Sequence, residues 1–414
     1  MVSRRTFLST LSVTVAGCTS TSSPDPVAET SRTTVTQTTT SPPTTTESAT
    51  KTTETTREPA CDGRWSPTVQ WSLETEVRAF QPTVADGVVY AGSQDGTLYA
   101  VAAGTGRLRW RVPSDPGFGT VPVVSGQTVT LAGYDEVAAY DVATGDERWS
   151  FTPPGEYASL TDSHGDDGDT VFVGASQRPT PETDPDNVYD RVYALDRVSG
   201  NRRWQVSIAK SDDPDAWAVP DAVVVDSGRV FVSTEQSELV VLDASDGSVR
   251  WRRRFGDSNH RLALPVVAGD SVYQQASRTG YVLDVETGTE RWRAPAERRP
   301  AVAGDASYWI DGLTLVARAT SDGSVRWKRA IPTEGCPRTP RVGDGVLYVP
   351  VGCTDSNASI HALDLSNLCW VGSFELDSRN ATTPVVSDGS VYVGGLNGAG
   401  NLWSLSAVGT DDSS

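Results

Sequence analysis

Eight tryptophans, Trp71, Trp110, Trp149, Trp204, Trp251, Trp292, Trp327 and Trp370, recur at intervals of 35 to 55 residues. Six of them, Trp110 through Trp327, follow a glycine four residues earlier: Gly106, Gly145, Gly200, Gly247, Gly288 and Gly323. In four repeats an aspartate stands eight residues before the tryptophan, at Asp141, Asp196, Asp243 and Asp284; Ala102 and Ala319 hold that place in two others. In the Trp370 repeat the turn is two residues shorter, with Asp364 six before. The stretch from Gln81 to Trp110 shows what lies between tryptophans. Short β-type runs (82–85, 88–92, 97–102 and one around 108–111) are divided by Asp86-Gly87, Asp95-Gly96 and Thr105-Gly106. X-Gly pairs between alternating apolar runs mark tight turns, because glycine takes the positive φ that such turns need. Each unit is therefore a four-stranded antiparallel meander with a period near 40. A four-stranded sheet cannot hide both faces alone, and a ring of them can.

The fold class that follows is all-β, an eight-bladed β-propeller with four-stranded antiparallel blades. Blade starts fall near Pro82, Pro122, Ala158, Pro220, Pro265, Pro300, Pro340 and Pro384. Residues 65–76 form a lone outer strand, and 384–406 form three strands lacking a fourth. Together they make one blade and close the ring without open sheet edges. The eight tryptophans are expected to dock one blade on the next.

Four repeats, YDVATGDERW (140–149), LDRVSGNRRW (195–204), LDASDGSVRW (242–251) and LDVETGTERW (283–292), resemble the docking motif of the PQQ-like repeat family over about residues 65–408. The resemblance implies a propeller. For function it implies two things, because that family holds quinoprotein alcohol dehydrogenases and also non-enzymatic scaffold lipoproteins of the BamB type.

The organisation expected along the chain is a signal segment (1–18), a linker (19–60), the propeller (61–408) and an acidic tail (409–414). Ser3-Arg4-Arg5-Thr6-Phe7-Leu8 matches the twin-arginine export pattern, with Arg4 and Arg5 as its defining pair. The apolar run to Ala16 is too short to span a bilayer as a helix. Val15-Ala16-Gly17-Cys18 resembles a lipobox, making Cys18 the lipidated residue. Of the 42 linker residues 23 are Ser or Thr, with Pro interspersed; such a stretch cannot bury enough surface to fold. As a coil it spans roughly 35–40 Å, and fully extended about 130 Å. The expected location is the extracytoplasmic face of the cell membrane, lipid-anchored.

Net charge is −18, and lysine occurs only at Lys51, Lys210 and Lys328. An acidic, lysine-poor, arginine-retaining surface resembles exported proteins of salt-loving archaea; a partner-binding acidic face is the other reading. Such a charge argues against nucleic acid as a ligand. Cys61, Cys336, Cys353 and Cys369 are an even number in an exported domain, which points to disulfides. A hairpin turning at 343–345, pairing Val342 with Val346 and Pro340 with Tyr348, brings Cys336 to Cys353. Cys61 with Cys369 follows by elimination.

Function sits on loops held by a scaffold. Asp162-Ser163-His164-Gly165-Asp166-Asp167-Gly168-Asp169 is rich in oxygen ligands, without the spacing of an EF-hand loop; a solvated acidic turn is the favoured reading over a Ca²⁺ site. Trp217 in the loop 211–219, beside the insertion 175–190, and His260 in the loop before Pro265 are the candidate binding residues. His361, in an alternating strand, reads as structural. Asn357 and Asn380 head glycosylation sequons. The chain contains no H-E-x-x-H, no G-x-S-x-G and no Gly-rich phosphate loop. Nor does it have the vicinal cysteines that the resembled quinoproteins set against their cofactor. The expected function is therefore a membrane-tethered, monomeric, non-catalytic scaffold with no cofactor and an envelope protein partner. A quinoprotein-type, Ca²⁺-dependent oxidoreductase is the alternative.

Overall fold

The computed structural model describes residues 65–75, 77–113, 121–133, 135–154, 158–177, 191–208, 220–256, 262–353, 357–395 and 400–406. They form 32 strands in eight four-stranded antiparallel sheets. Seven blades are consecutive meanders, from β2 (Thr83–Ala85) to β5 (Leu108–Pro113) in blade 1 through β26 (Arg341–Gly343) to β29 (Cys369–Glu375) in blade 7. The eighth runs β1-β32-β31-β30, so β1 (Val69–Thr75) supplies the outer strand to β30 (Val385–Ser387), β31 (Ser390–Gly394) and β32 (Gly400–Ser406). The circular closure expected from the two incomplete ends is present, through pairs such as Ser72–Trp403 and Leu73–Leu402.

Six of the eight inner strands have three residues, and inner strands of adjoining blades meet around the axis, β30 touching β2 across the ring closure. The second and third strands are rich in apolar residues and mostly buried, wholly so in Val88–Gly92 and Val346–Val351. Outer strands alternate, with arginines facing water: β17 (Val249–Arg254) reads VRWRRR. Charge along an exposed edge discourages pairing with another chain.

The docking motif works as one unit at each seam. In blade 2 the Asp141 carbonyl accepts the Gly145 amide (2.9 Å), while Asp141 Oδ1 accepts the Ala143 and Thr144 amides. Gly145 has φ +77°, and a Cβ there would lie 2.8 Å from the Trp110 ring. The Trp110 indole Nε1 then donates to the Val142 carbonyl at 3.1 Å. The same pair of contacts joins Trp71 to Gly106 and Ala103, Trp149 to Gly200 and Arg197, Trp204 to Gly247 and Ala244, Trp251 to Gly288 and Val285, and Trp292 to Gly323 and Thr320. Glycine is required twice over, by backbone conformation and by the indole lying on it.

Blade 7 departs from this. Its shorter turn puts Leu368 at φ +60°, in the place the glycine holds elsewhere, with its amide on the Asp364 carbonyl. Trp327 packs in the same cluster as Leu365 of that turn. Trp370 has no motif turn ahead of it, because the next blade's third and fourth strands come from opposite ends of the chain. Its indole instead donates back to the Ala330 carbonyl of blade 6. Trp65 fills the vacant seam: it is buried, donates its amide to the Val371 carbonyl and meets Tyr348 edge-on at 5.7 Å.

Two sequence expectations need correction. The hairpin of blade 7 turns on two residues, not three. Asp344 and Gly345 both take positive φ (50° and 75°), so Gly343 pairs with Val346, Val342 with Leu347 and Arg341 with Tyr348. A compensating shift before Arg341 leaves Pro337 opposite Val351, and Cys336 still bonds Cys353 with Cα atoms 5.4 Å apart. The second correction concerns 162–169, which is not an acidic turn throughout: β10 (Ala158–Asp166) runs through most of it, and only Asp167–Asp169 turns.

Candidate functional site

An antiparallel meander sends its connections to alternate faces of the ring. The first-to-second and third-to-fourth connections share one face and never exceed five residues. The second-to-third connections and those between blades leave from the opposite face, and they include 178–190, 208–219 and 331–340. Turns on the first face vary little in length from blade to blade. Individuality is confined to the second face, which is the candidate binding face. The described ends of the propeller, Trp65 and Ser406, both lie at the motif-turn side.

Trp217 and His260 both fall between blades, in stretches whose flanking strands end and begin on this face. The two residues themselves lie outside the described residues, as do Arg4, Arg5, Cys18, Cys61 and the tail 409–414. Asn357 is exposed; Asn380 is half-buried, its Oδ1 accepting Arg338 Nη2 at 2.7 Å. Cys369 is disulfide-bonded and buried, with its partner outside the described residues.

The best-held part of the face is in blade 7. The Cys336–Cys353 bond ties the loop entering the blade to the loop between its second and third strands, and the Gly352 amide donates to the Cys336 carbonyl at 3.1 Å. Between them Arg338 reaches the Gly352 carbonyl as well as Asn380. Arg298 crosses from the previous loop, its Nε donating to the Pro337 carbonyl at 3.1 Å. Sequence reasoning passed over these arginines; Arg298-Arg299 and Arg338, each close before a blade-start proline, were the available signal.

On the opposite face the motif aspartates pair with the arginine before each tryptophan: Asp141–Arg148, Asp196–Arg203, Asp243–Arg250 and Asp284–Arg291, at 2.5 to 2.8 Å. Hydrogen bonds from Ser245 and then Arg250 bring Asp243 down to about 2, and those from Arg291 and Thr287 do the same for Asp284. These groups cap turns. Between blades 5 and 6 the same face holds a groove of about 510 Å³ lined by Asp270, Ser271, Arg291, Thr320 and Ser321; Asp270 and Asp284 already hold Arg291 there.

The described histidines are structural. His164 is buried, with Nε2 2.8 Å from Thr130 Oγ1, and burial pushes it down to about 4. His361 lies 3.0 Å from Ser359 Oγ and edge-on to Trp370, and burial lowers it also. Among the described residues no group of three or more His, Cys, Asp or Glu is placed to hold a metal ion.

Comparison with known proteins places this geometry. The family described as outer membrane protein assembly factor BamB matches residues 62–216 and 188–344. BamB of Salmonella typhimurium is 24% identical over 367 residues, covering 81% of this chain and 88% of that protein. Tetrathionate hydrolase of Acidithiobacillus ferrooxidans is 22% identical over 382 residues, covering 76% of this chain and 70% of that enzyme. The crystal structure of BamB from Moraxella catarrhalis superposes with a TM-score of 0.62 at 16% identity, covering 82% of this chain and all of that one, a likeness of fold alone. With the docking motif at its seams and more than half its length matched, the chain belongs to the family described as outer membrane protein assembly factor BamB.

Proposed function

We propose that this propeller is a non-catalytic protein-binding platform, held at the extracytoplasmic face of the membrane by lipid on Cys18 and engaging an envelope protein through its variable-loop face. The observation that carries the reading is the division of the ring: every connection longer than five residues leaves from one face, and a rigid disc with one individual face suits capture of a large partner. Membership in a family named for outer membrane protein assembly supports the same class of role. In this reading Arg4 and Arg5 direct export, Cys61 bonds Cys369, Asn357 and Asn380 are glycosylation acceptors, and the protein works as a monomer without a cofactor.

Crosslinking in intact cells followed by co-purification tests it. Recurrent recovery of one envelope protein, lost when the loop 211–219 with Trp217 is replaced and weakened by His260→Ala, supports the platform. Cys18→Ala is expected to release the protein from membranes or leave an uncleaved precursor; a mature, membrane-bound Cys18→Ala protein removes the lipid tether from the account.

An enzyme of the quinoprotein type is the second reading, favoured by the resemblance of the repeats and by a quinone-dependent 1-butanol dehydrogenase that matches 26% of this chain. Near-ultraviolet and visible absorption from a stoichiometric quinone, with dye-linked alcohol oxidation lost on chelating Ca²⁺, would establish it over the platform.

A further inference from the structure

Fifty-three carboxylates and 35 cations make this an acidic protein, and many of its described arginines are ion-paired with carboxylates, among them Arg148, Arg250, Arg291 and Arg326. The inner edge of blades 6 and 7 is different. Arg299 stands just before β22 (Ala301–Ala303), and Arg341 opens β26; the two strands are neighbours around the axis. Burial and the Arg341 guanidinium both push Arg299 below its ordinary value, and burial with Arg298 does the same to Arg338. The charges acting on each of these half-buried arginines are therefore other arginines. Among the described residues no carboxylate is ion-paired with Arg299, Arg338 or Arg341, and the Glu297 charge acts on Arg298 only at longer range. Glu297, the nearest acid in sequence, turns its carboxylate to Arg278 at 2.6 Å.

Like charges held together without a counter-ion destabilise the fold, and such arrangements concentrate at functional sites. The positions are also fixed beforehand. Arg298 is held by the Pro337 carbonyl, Arg338 by Gly352 and Asn380, and the loop carrying Arg338 by the Cys336–Cys353 bond. Guanidinium forks pair bidentately with carboxylates. Four of them, from two adjoining blades, exceed what one small anion can neutralise.

We propose that Arg298, Arg299, Arg338 and Arg341 form a recognition site for an acidic peptide segment of a partner protein, at the inner edge of the variable-loop face. The inference rests on the platform reading and names the chemistry the partner presents there. The salt dependence of a charged contact follows: binding weakens as ionic strength rises.

Fluorescence anisotropy of a labelled hexa-glutamate peptide with the whole protein tests the site. Binding is expected, weakened at least tenfold in Arg299→Ala/Arg341→Ala and unchanged in Arg326→Ala, whose arginine pairs with Asp305 on the opposite face. Cys336→Ser should weaken it less, by loosening Arg338. Circular dichroism melting of each variant separates loss of binding from loss of fold; if the double variant does not fold, Arg299→Gln and Arg341→Gln are measured singly. Absent peptide binding, binding unaffected by the arginine substitutions, or inorganic phosphate alone competing at peptide-like concentration overturns the proposal. The two readings fail separately. Recovery of an envelope partner by Arg299→Ala/Arg341→Ala protein at wild-type yield sinks the arginine site and leaves the platform. Peptide binding with no partner recovered from cells does the reverse.

Discussion

The regular seams and the seam between blades 7 and 8 solve one packing problem in two ways. At the regular seams an indole lies on a motif glycine and donates to a carbonyl of the same turn, all from residues about 30 to 50 apart. Between blades 7 and 8 there is no such turn, because the eighth blade is assembled from both ends of the chain. There the entering segment lays Trp65 into the gap, with its carbonyl pressed on Gly372, where a Cβ would sit 2.2 Å away. A repeat protein can stitch its seams with local sequence everywhere except where the ring closes. At that point it depends on contacts spanning the whole chain, and in this protein a buried, disulfide-bonded cysteine, Cys369, lies in the same cluster.

The largest expected effect comes from removing the special seam. Deleting residues 61–76 strips β1 and Trp65 and leaves β32 as an open edge, which seeks another strand. Aggregation or loss of the cooperative melt is expected by scattering and calorimetry; a deletion variant melting like the parent would mean the closing blade does not hold the ring. Next comes the bond of Cys336 to Cys353. Closing a loop with a separation of 17 contributes about 3 kcal/mol in the chain-entropy model. The Cys336→Ser/Cys353→Ser variant should lose about that much in denaturant unfolding, and peptide mapping that found free thiols in the parent would contradict the bond.

A pair of substitutions sharpens the contrast within the turns. Gly145→Ala forces a Cβ against Trp110 at φ +77° and is expected to cost about 2 kcal/mol. Leu368→Gly relieves a left-handed leucine and is expected to stabilise by up to about 1 kcal/mol. Equal effects of one sign from both would show that the blade 7 turn is not strained relative to the others.

The smallest effect separates the ion-paired turns from that of blade 7, where Asp364 is held by Ser366 and Asn367 without an arginine. Asp243 and Asp284 have folded values near 2, below the 3.8 of an ordinary aspartate. Their contribution is fully present above about pH 4 and lost as pH falls through 2. Arg250→Gln should raise the Asp243 midpoint in an NMR titration and leave Asp364 where it was. His164 runs in the same direction over a higher window: its folded value near 4 lies below 6.5, so its contribution is complete above pH 6.5 and fades towards pH 4.

Much of this protein was legible without coordinates because its order is local. Two-residue turns need positive φ, and Asp-Gly pairs announce them; the glycine four residues before six of the tryptophans fixes where a seam falls; the lone strand at 65–76 declares the closing blade. Those signals repeat, and their cause lies within a few residues. Tertiary structure alone decided the rest. It seated Trp65 where the motif is missing, turned Trp370 back to Ala330 and drew His164 out of an acidic stretch into a buried contact with Thr130. It also gathered arginines from the starts of two blades at one inner edge. None of these has a local cause: each depends on which distant segment arrives opposite, and closing the ring settles that.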